Sequence, residues 1–218
     1  MAVAAASRTD HPCRGVAAIA VLATVVGLAG CADAASQGDA LYASARQHDL
    51  LFRQTVATVL LHLYDGDWQV QEYGDAPVAC DEGYGFELGR TTPEGWTLDG
   101  DAHADAPTLG HRVARWLTDR GWTARDAAAD ADGTVEVHAS VEGFGIETLT
   151  IEIRDGEGSA DAIGVRATTA CFDGDPDALM AILYPGWPDA PVAHDPLPAS
   201  EPPGAVPVFG FTEDGHPR

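Results

Sequence analysis

Between residues 134 and 172, apolar and polar side chains alternate with a period of two, broken only by glycine-containing turns. No other feature restricts the fold of this chain so tightly. Over 145–154, Glu147, Leu149, Ile151 and Ile153 alternate with Thr148, Thr150, Glu152 and Arg154. Over 162–172, Ile163, Val165, Ala167 and Thr169 alternate with Gly164, Arg166, Thr168 and Ala170. Successive side chains of a strand point to opposite faces, so each segment has one apolar and one polar side. With 134–141 as a third strand and turns at Glu142-Gly143-Phe144 and Asp155-Gly156-Glu157-Gly158, the pattern predicts an antiparallel sheet with one face against helices and one toward water.

The rest of the chain supplies the helices and further strands. Ser36-Gln37-Gly38-Asp39 reads as a variant capping box opening a helix that runs to about Tyr64 and stops at Asp65-Gly66-Asp67. Leu41, Ala45, Phe52, Val56, Val59, Leu60 and Leu63 recur at helical spacing as its docking stripe, with Arg46, Asp49, Arg53 and Thr58 between them. A second helix starts at Ala106 or Pro107, presents Leu109, Val113, Trp116 and Leu117, and ends at Gly121. A third, short helix spans Pro176 to Leu183, with Asp175 as N-cap. Tyr84, Phe86 and Leu88 alternate with Gly85 and Glu87 as one more strand, residues 68–73 form a short edge strand, and Trp122 to Asp126 begins another. The expected fold is therefore α+β: an antiparallel sheet of four to five strands packed on a long N-terminal helix and a second helix, in one domain over 37–184. From 185 to 218, 9 of 34 residues are proline, so that stretch is expected to be a poorly ordered tail, with Trp187 and Val206-Pro207-Val208-Phe209 as the parts able to lie on the body.

Charge narrows the partners. Against 34 Asp+Glu stand 12 Lys+Arg, all of them arginine, for a formal charge of −22. Nucleic-acid affinity draws on clustered cations that neutralise phosphates, so a nucleic-acid partner is excluded. An anionic bilayer surface repels such a chain as well. Membrane association must come from an apolar element.

Residues 1–14 carry Arg8 and Arg14, followed by an apolar run from Val16 to Ala29. Fourteen helical residues reach only about 21 Å, short of a bilayer core. The run ends in Leu28-Ala29-Gly30-Cys31, which resembles the lipobox of a bacterial lipoprotein signal peptide. An ordinary secretory signal and a short membrane helix are the alternative readings. The resemblance implies that residues 1–30 are cleaved, that the Cys31 thiol is lipidated, and that 31–36 are the anchor and tether. The protein would then sit on the extracytoplasmic face of the cell membrane. Cleavage removes two arginines and one aspartate and deepens the charge to −23. It leaves Cys80 and Cys171 in an oxidising compartment, where one disulfide between them is expected. The lipobox, the helix end at Asp119-Arg120-Gly121-Trp122 and the late cysteine in Thr168-Thr169-Ala170-Cys171 also resemble those of small lipoproteins of high-GC Gram-positive bacteria. That likeness implies a similar fold and location and no activity.

Motifs for chemistry are sparse. Asp99, Asp101, His103 and Asp105 alternate and are a candidate divalent-cation set, although the same stretch reads as a solvated acidic loop. No Gly-x-Ser-x-Gly, His-Glu-x-x-His or phosphate-binding glycine loop occurs, so neither an enzyme nor a cofactor is expected. His48 and His62 are fourteen residues apart on one helix, too far to share a ligand. Trp96 and Trp187 are the expected surface aromatics, and Trp116 and Trp122 the core ones. The expected function is a non-catalytic, lipid-anchored envelope protein that binds or scaffolds an envelope partner through the polar sheet face or its acidic loops. The alternative is a small-ligand or divalent-cation binding domain.

Overall fold

The alternation at 134–172 forms the centre of a seven-stranded antiparallel sheet. The computed structural model describes residues 29–98, 105–126, 129, 130, 133–156, 161–184, 186, 189, 198–205 and 209. Of 29–36, 126 and 144 it describes the backbone alone. In chain order the elements are α1 (Ala29–Leu63), β1 (Trp68–Glu72), β2 (Val78–Cys80), β3 (Gly83–Gly85), β4 (Glu87–Thr91), α2 (Ala106–Thr118) and β5 (Thr123–Asp126). They continue with β6 (Val135–Val141), a 3-10 turn (Glu142–Phe144), β7 (Ile146–Arg154), β8 (Ala162–Thr169), β9 (Phe172–Asp173), α3 (Pro176–Leu183) and β10 (Ser200–Glu201). The large sheet runs β10-β1-β4-β8-β7-β6-β5, and a small sheet runs β2-β3-β9. The class is α+β as the patterning predicts, with more strands than the four or five expected.

Two helices cover one face of the large sheet. α1 contacts β8 and α3, while α2 contacts β5, β6 and β7. Val135, Val137, Leu149, Ile151, Ile153, Ile163, Val165 and Ala167 fill the interior from the sheet side, and Phe52, Val56, Leu109, Val113 and Leu117 from the helix side. Both shorter helices begin as expected. Asp105 accepts from the Thr108 amide at 2.7 Å, and Asp175 accepts from the Asp177 and Ala178 amides at 2.9 and 3.3 Å. Each has proline in its first turn, where the absent N–H has no partner to lose. Gly121, at φ +86°, turns the chain so that Trp122 N–H reaches the Leu117 carbonyl at 3.1 Å and β5 can start.

Four details depart from the expectation. α1 begins at Ala29 rather than at Ser36, because the alanine-rich run before Ser36 continues the helix and leaves no end for a cap. The strand read at 84–88 is split: β3 belongs to the small sheet and β4 to the large one. Buried Thr169 holds the crossing point, its Oγ1 accepting from the Phe86 amide at 2.8 Å while its own N–H donates to the Phe86 carbonyl at 3.0 Å. In β7, Glu147 lies on a bulge between Ile146 and Thr148 and is exposed rather than aligned with Leu149.

The fourth departure is the strand at 200–201, within the stretch expected as a loose tail. Ser200 and Glu201 form β10 against Gln69 and Trp68. Phe209 is buried and packs on Tyr42 and Phe86 at ring distances of 5.5 and 5.9 Å. The cause lies in β4, where Arg90 faces the covered side and is 2% exposed. Its Nη1 donates to the carbonyls of Glu72 and Gly89 at 2.6 and 2.8 Å, and its Nη2 to that of Tyr73 at 3.5 Å. The opposing charge is supplied by Glu201, whose Oε1 accepts from Nε at 3.1 Å and from Nη2. Removing one partner of a buried pair leaves an uncompensated charge, so Glu201→Gln should lower stability by about 3 kcal/mol. An Arg90→Met/Glu201→Met double variant should recover much of that loss, as chemical denaturation will measure.

Candidate functional site

Among the described residues, no helix lies on the opposite face of the large sheet, and the β pairing decides which side chains meet on it. Ladder partners place Arg125, His138, Thr150 and Arg166 in one row across β5, β6, β7 and β8. A neighbouring row holds Thr148, Thr168 and Glu87, with Thr123 opposite Ser140 at the β5 end. Glu136, Glu152, Gly164 and Thr91 form a third. A trough of about 570 Å³ lies over the β5–β7 part and is lined by Thr123, Arg125, His138, Ser140, Thr148 and Thr150, among others.

The contacts on this face are polar and local. Thr148 and Thr168 share a hydroxyl hydrogen bond. Arg166 Nε is 3.7 Å from Glu87 Oε1, and His138 Nε2 is 3.0 Å from Glu136 Oε2. The other ring nitrogen of His138 is 3.4 Å from Thr150 Oγ1. Carboxylate, imidazole and hydroxyl thus follow one another as in a nucleophile-activating relay. Two features work against reaction. The side chains of His138 and Glu136 are 43% and 47% exposed, so water screens the relay. Thr150 also sits in the middle of a paired strand, where ladder bonds occupy the backbone N–H groups that would have to stabilise an oxyanion. Hydroxyls, guanidinium and imidazole on an open surface are instead suited to hydrogen-bonding a polar partner.

A second polar cluster is buried under the helices. Asp49 and Arg53, which the helical spacing leaves between the apolar positions of α1, are 0% and 6% exposed. Arg53 Nε donates to Asp49 Oδ1 at 3.2 Å, and its guanidinium lies 4.3 Å over the Tyr73 ring. Tyr184 Oη donates to Asp75 Oδ2 at 2.9 Å beside them. Among the described residues, Asp49 Oδ2 and Arg53 Nη2 have no hydrogen-bond partner. Burial, opposed by Arg53, pushes the Asp49 carboxyl up to about 7. Burial likewise raises the Tyr184 hydroxyl, with Asp75 adding to it.

Cys80 and Cys171 are bonded, with Cα atoms 5.9 Å apart, and join β2 to the segment between β8 and β9. Asp105 serves as the α2 N-cap, and its hydrogen bonds from Thr108 hold its carboxyl below the usual range. Asp99, Asp101 and His103 lie outside the described residues, as does Trp187. Among the described residues, no group of three or more His, Cys, Asp or Glu side chains is placed to hold a metal ion. The Cys31 backbone lies within α1, and no helix among the described residues is long and apolar enough to cross a membrane.

His48, His62 and Trp96 act in packing. His48 stacks on Phe172 at 3.8 Å and its Nδ1 is 3.2 Å from Tyr84 Oη, while His62 stacks on Trp116 at 3.9 Å. Burial lowers the pKa of both, and Arg120 and Arg112 lower that of His62 further. Trp96 is half-buried, edge-on to Tyr64 at 6.2 Å. Sequence reasoning divided β7 and β8 into their faces but missed the row that joins Arg125 to His138, because register is set by pairing. No family model, curated protein or solved structure matches the chain.

The Asp49 carboxyl makes stability depend on pH. Its folded pKa is raised from 3.8 to about 7, so its contribution is full below the unfolded value and is lost as pH rises through the folded one. Asp49→Asn removes this loss. The stability of the variant relative to the parent should therefore increase from pH 5 to pH 8, as urea midpoints at the two pH values will show.

Proposed function

We propose that the chain is a non-catalytic, lipid-anchored envelope protein that binds a partner on the extracytoplasmic face of the cell membrane. The observation that carries the binding part is the asymmetry of the sheet. One face is covered by α1 and α2, and the other presents rows of Thr, Ser, Arg, His and Glu to solvent. An open polar face of this kind suits a macromolecular partner better than a small molecule, which requires enclosure to bury most of its surface. The anchoring part rests on Leu28-Ala29-Gly30-Cys31. Two or more acyl chains on Cys31 make a stable anchor where a single chain does not.

A specific observation favours a small ligand as second reading. A groove of about 440 Å³ between α1 and residues 201–205 is lined by Leu50, Ala57, Leu61, Leu88, Pro203 and Ala205, among others. Leu61 is 54% exposed there. Arg53 and Arg90 also line the groove, and Arg90 is already saturated by Glu201 and three carbonyls.

Cys31→Ala should move the protein from the membrane fraction to the soluble or unprocessed pool, whereas unchanged anchoring would refute the lipoprotein reading. Cross-linking on intact cells should trap the anchored protein with an envelope partner. Absence of any cross-linked species would refute the partner-binding reading.

A further inference from the structure

The Cys80–Cys171 bond lies at the surface of the fold. Cys171 is exposed and Cys80 half-buried. Both line a concavity of about 500 Å³, together with Asp81, Ser140, Glu142 and Glu147, among others. A disulfide exchanges when a thiolate reaches one of its sulfurs, and the exposed ones are the labile ones because that approach requires no unfolding.

Opening this bond takes nothing from the core. Val78 and Ala79 are exposed, so β2 brings no buried side chain to the small sheet. Asp81 and Glu82, also exposed, form the turn that joins β2 to β3. Asp81 has φ +30° and is the one non-glycine residue with positive φ among the described residues. A residue with a Cβ rarely adopts that backbone, and tight hairpin turns favour glycine where φ is positive. Parting β2 from β3 relaxes the turn. The pairing of β4 with β8 runs from Glu87–Thr168 to Thr91–Gly164 and does not pass through the bond.

The surroundings select the thiol that can approach. Residues 78–85, 140–147 and 169–175 hold six carboxylates, Asp81, Glu82, Glu142, Glu147, Asp173 and Asp175, and no Arg, Lys or His. His48 stacks on Phe172 beside them, and burial lowers its pKa, so it adds no charge at neutral pH. A cleft lined by one sign of charge changes the encounter rate of a charged reactant tenfold or more.

We propose that Cys80–Cys171 is a thiol-exchange site of the folded protein, open to uncharged or basic dithiols and unreceptive to anionic thiols. A thiolate of the dithiol attacks the more exposed Cys171 Sγ, and the bond to Cys80 breaks, leaving a mixed disulfide and a Cys80 thiolate. The second thiolate of the dithiol then attacks the reagent sulfur of the mixed disulfide and releases Cys171. The dithiol leaves as its disulfide, oxidised by two electrons, and its two protons end on Cys80 and Cys171.

Dithiothreitol, an uncharged dithiol, should open the bond in the full-length protein without denaturant, as alkylation of Cys80 and Cys171 read by peptide mass spectrometry will show. Hydrogen exchange should then speed up at Val78–Cys80 and stay unchanged in β6, β7 and β8. Cysteamine, 2-mercaptoethanol and 2-mercaptoethanesulfonate are of similar size and carry a positive, no and a negative charge. Each rate is divided by that of the same thiol on the disulfide of 2-mercaptoethanol, which removes differences in nucleophilicity. The normalised rates should fall in that order, with cysteamine about tenfold or more faster than the sulfonate. The spread should shrink at 1 M salt, where charges are screened within about 3 Å. Glu142→Gln/Glu147→Gln should narrow it as well and leave the 2-mercaptoethanol rate and the circular dichroism spectrum unchanged, because both side chains are exposed.

Reduction that occurs only at urea concentrations unfolding β6 to β8 would make the bond a brace alone and overturn the proposal. So would loss of protection in β6 to β8 when the bond opens in water. Equal normalised rates for the three thiols, or a spread that survives in the double variant, would overturn the selection by charge.

Discussion

A guanidinium on the covered face of a sheet needs an opposing charge, and Arg90 takes its own from the far end of the chain. Transferring that cation out of water without a carboxylate costs several kcal/mol. Glu201 therefore has to return to β4, 111 residues away, and its strand adds to the β1 edge as it does so. One ion pair thus closes one edge of the large sheet and brings Pro203 and Ala205 over α1. Among the described residues, β5 is the terminal strand at the other edge.

The disulfide makes a second closure of the same kind. Cys80 and Cys171 are 91 residues apart and tie β2 to the stretch between β8 and β9, completing a small sheet too short to be stable alone. Gly83 is required there, since a Cβ would fall 2.0 Å from the Phe172 carbonyl oxygen. In the chain-entropy account, closing a loop of that length contributes roughly 4 kcal/mol. The two closures sit on different parts of the fold. The central strands between them need neither, because their own alternation buries one face.

The class of the fold was legible because α2, α3, β6, β7 and β8 each announce themselves within a few residues, by periodicity, a capping aspartate or a turn glycine. Asp49 and Arg53 were not. Their spacing reads as the solvated side of a helix, and only the arrival of Tyr73 and Asp75 against α1 puts them inside. Glu147 was misaligned for a related reason: a bulge is a relation between two strands and leaves no mark in one. The polar face of the candidate site was half legible. Thr148, Thr150 and Arg166 were on it from alternation alone, whereas the meeting of Arg125 with His138 depends on the β5–β6 register.

Short-range patterns therefore specified the covered and open faces of each central strand, the caps and the acidic character of the surface, since each depends on residues a few positions apart. Which strand lies at the edge, which carboxylate neutralises Arg90 and which hydroxyls share a trough with Arg125 are relations between segments tens of residues distant. Those relations follow from burial and charge pairing in the assembled fold. An isolated segment is equally compatible with several neighbours until its buried polar groups have to be satisfied together.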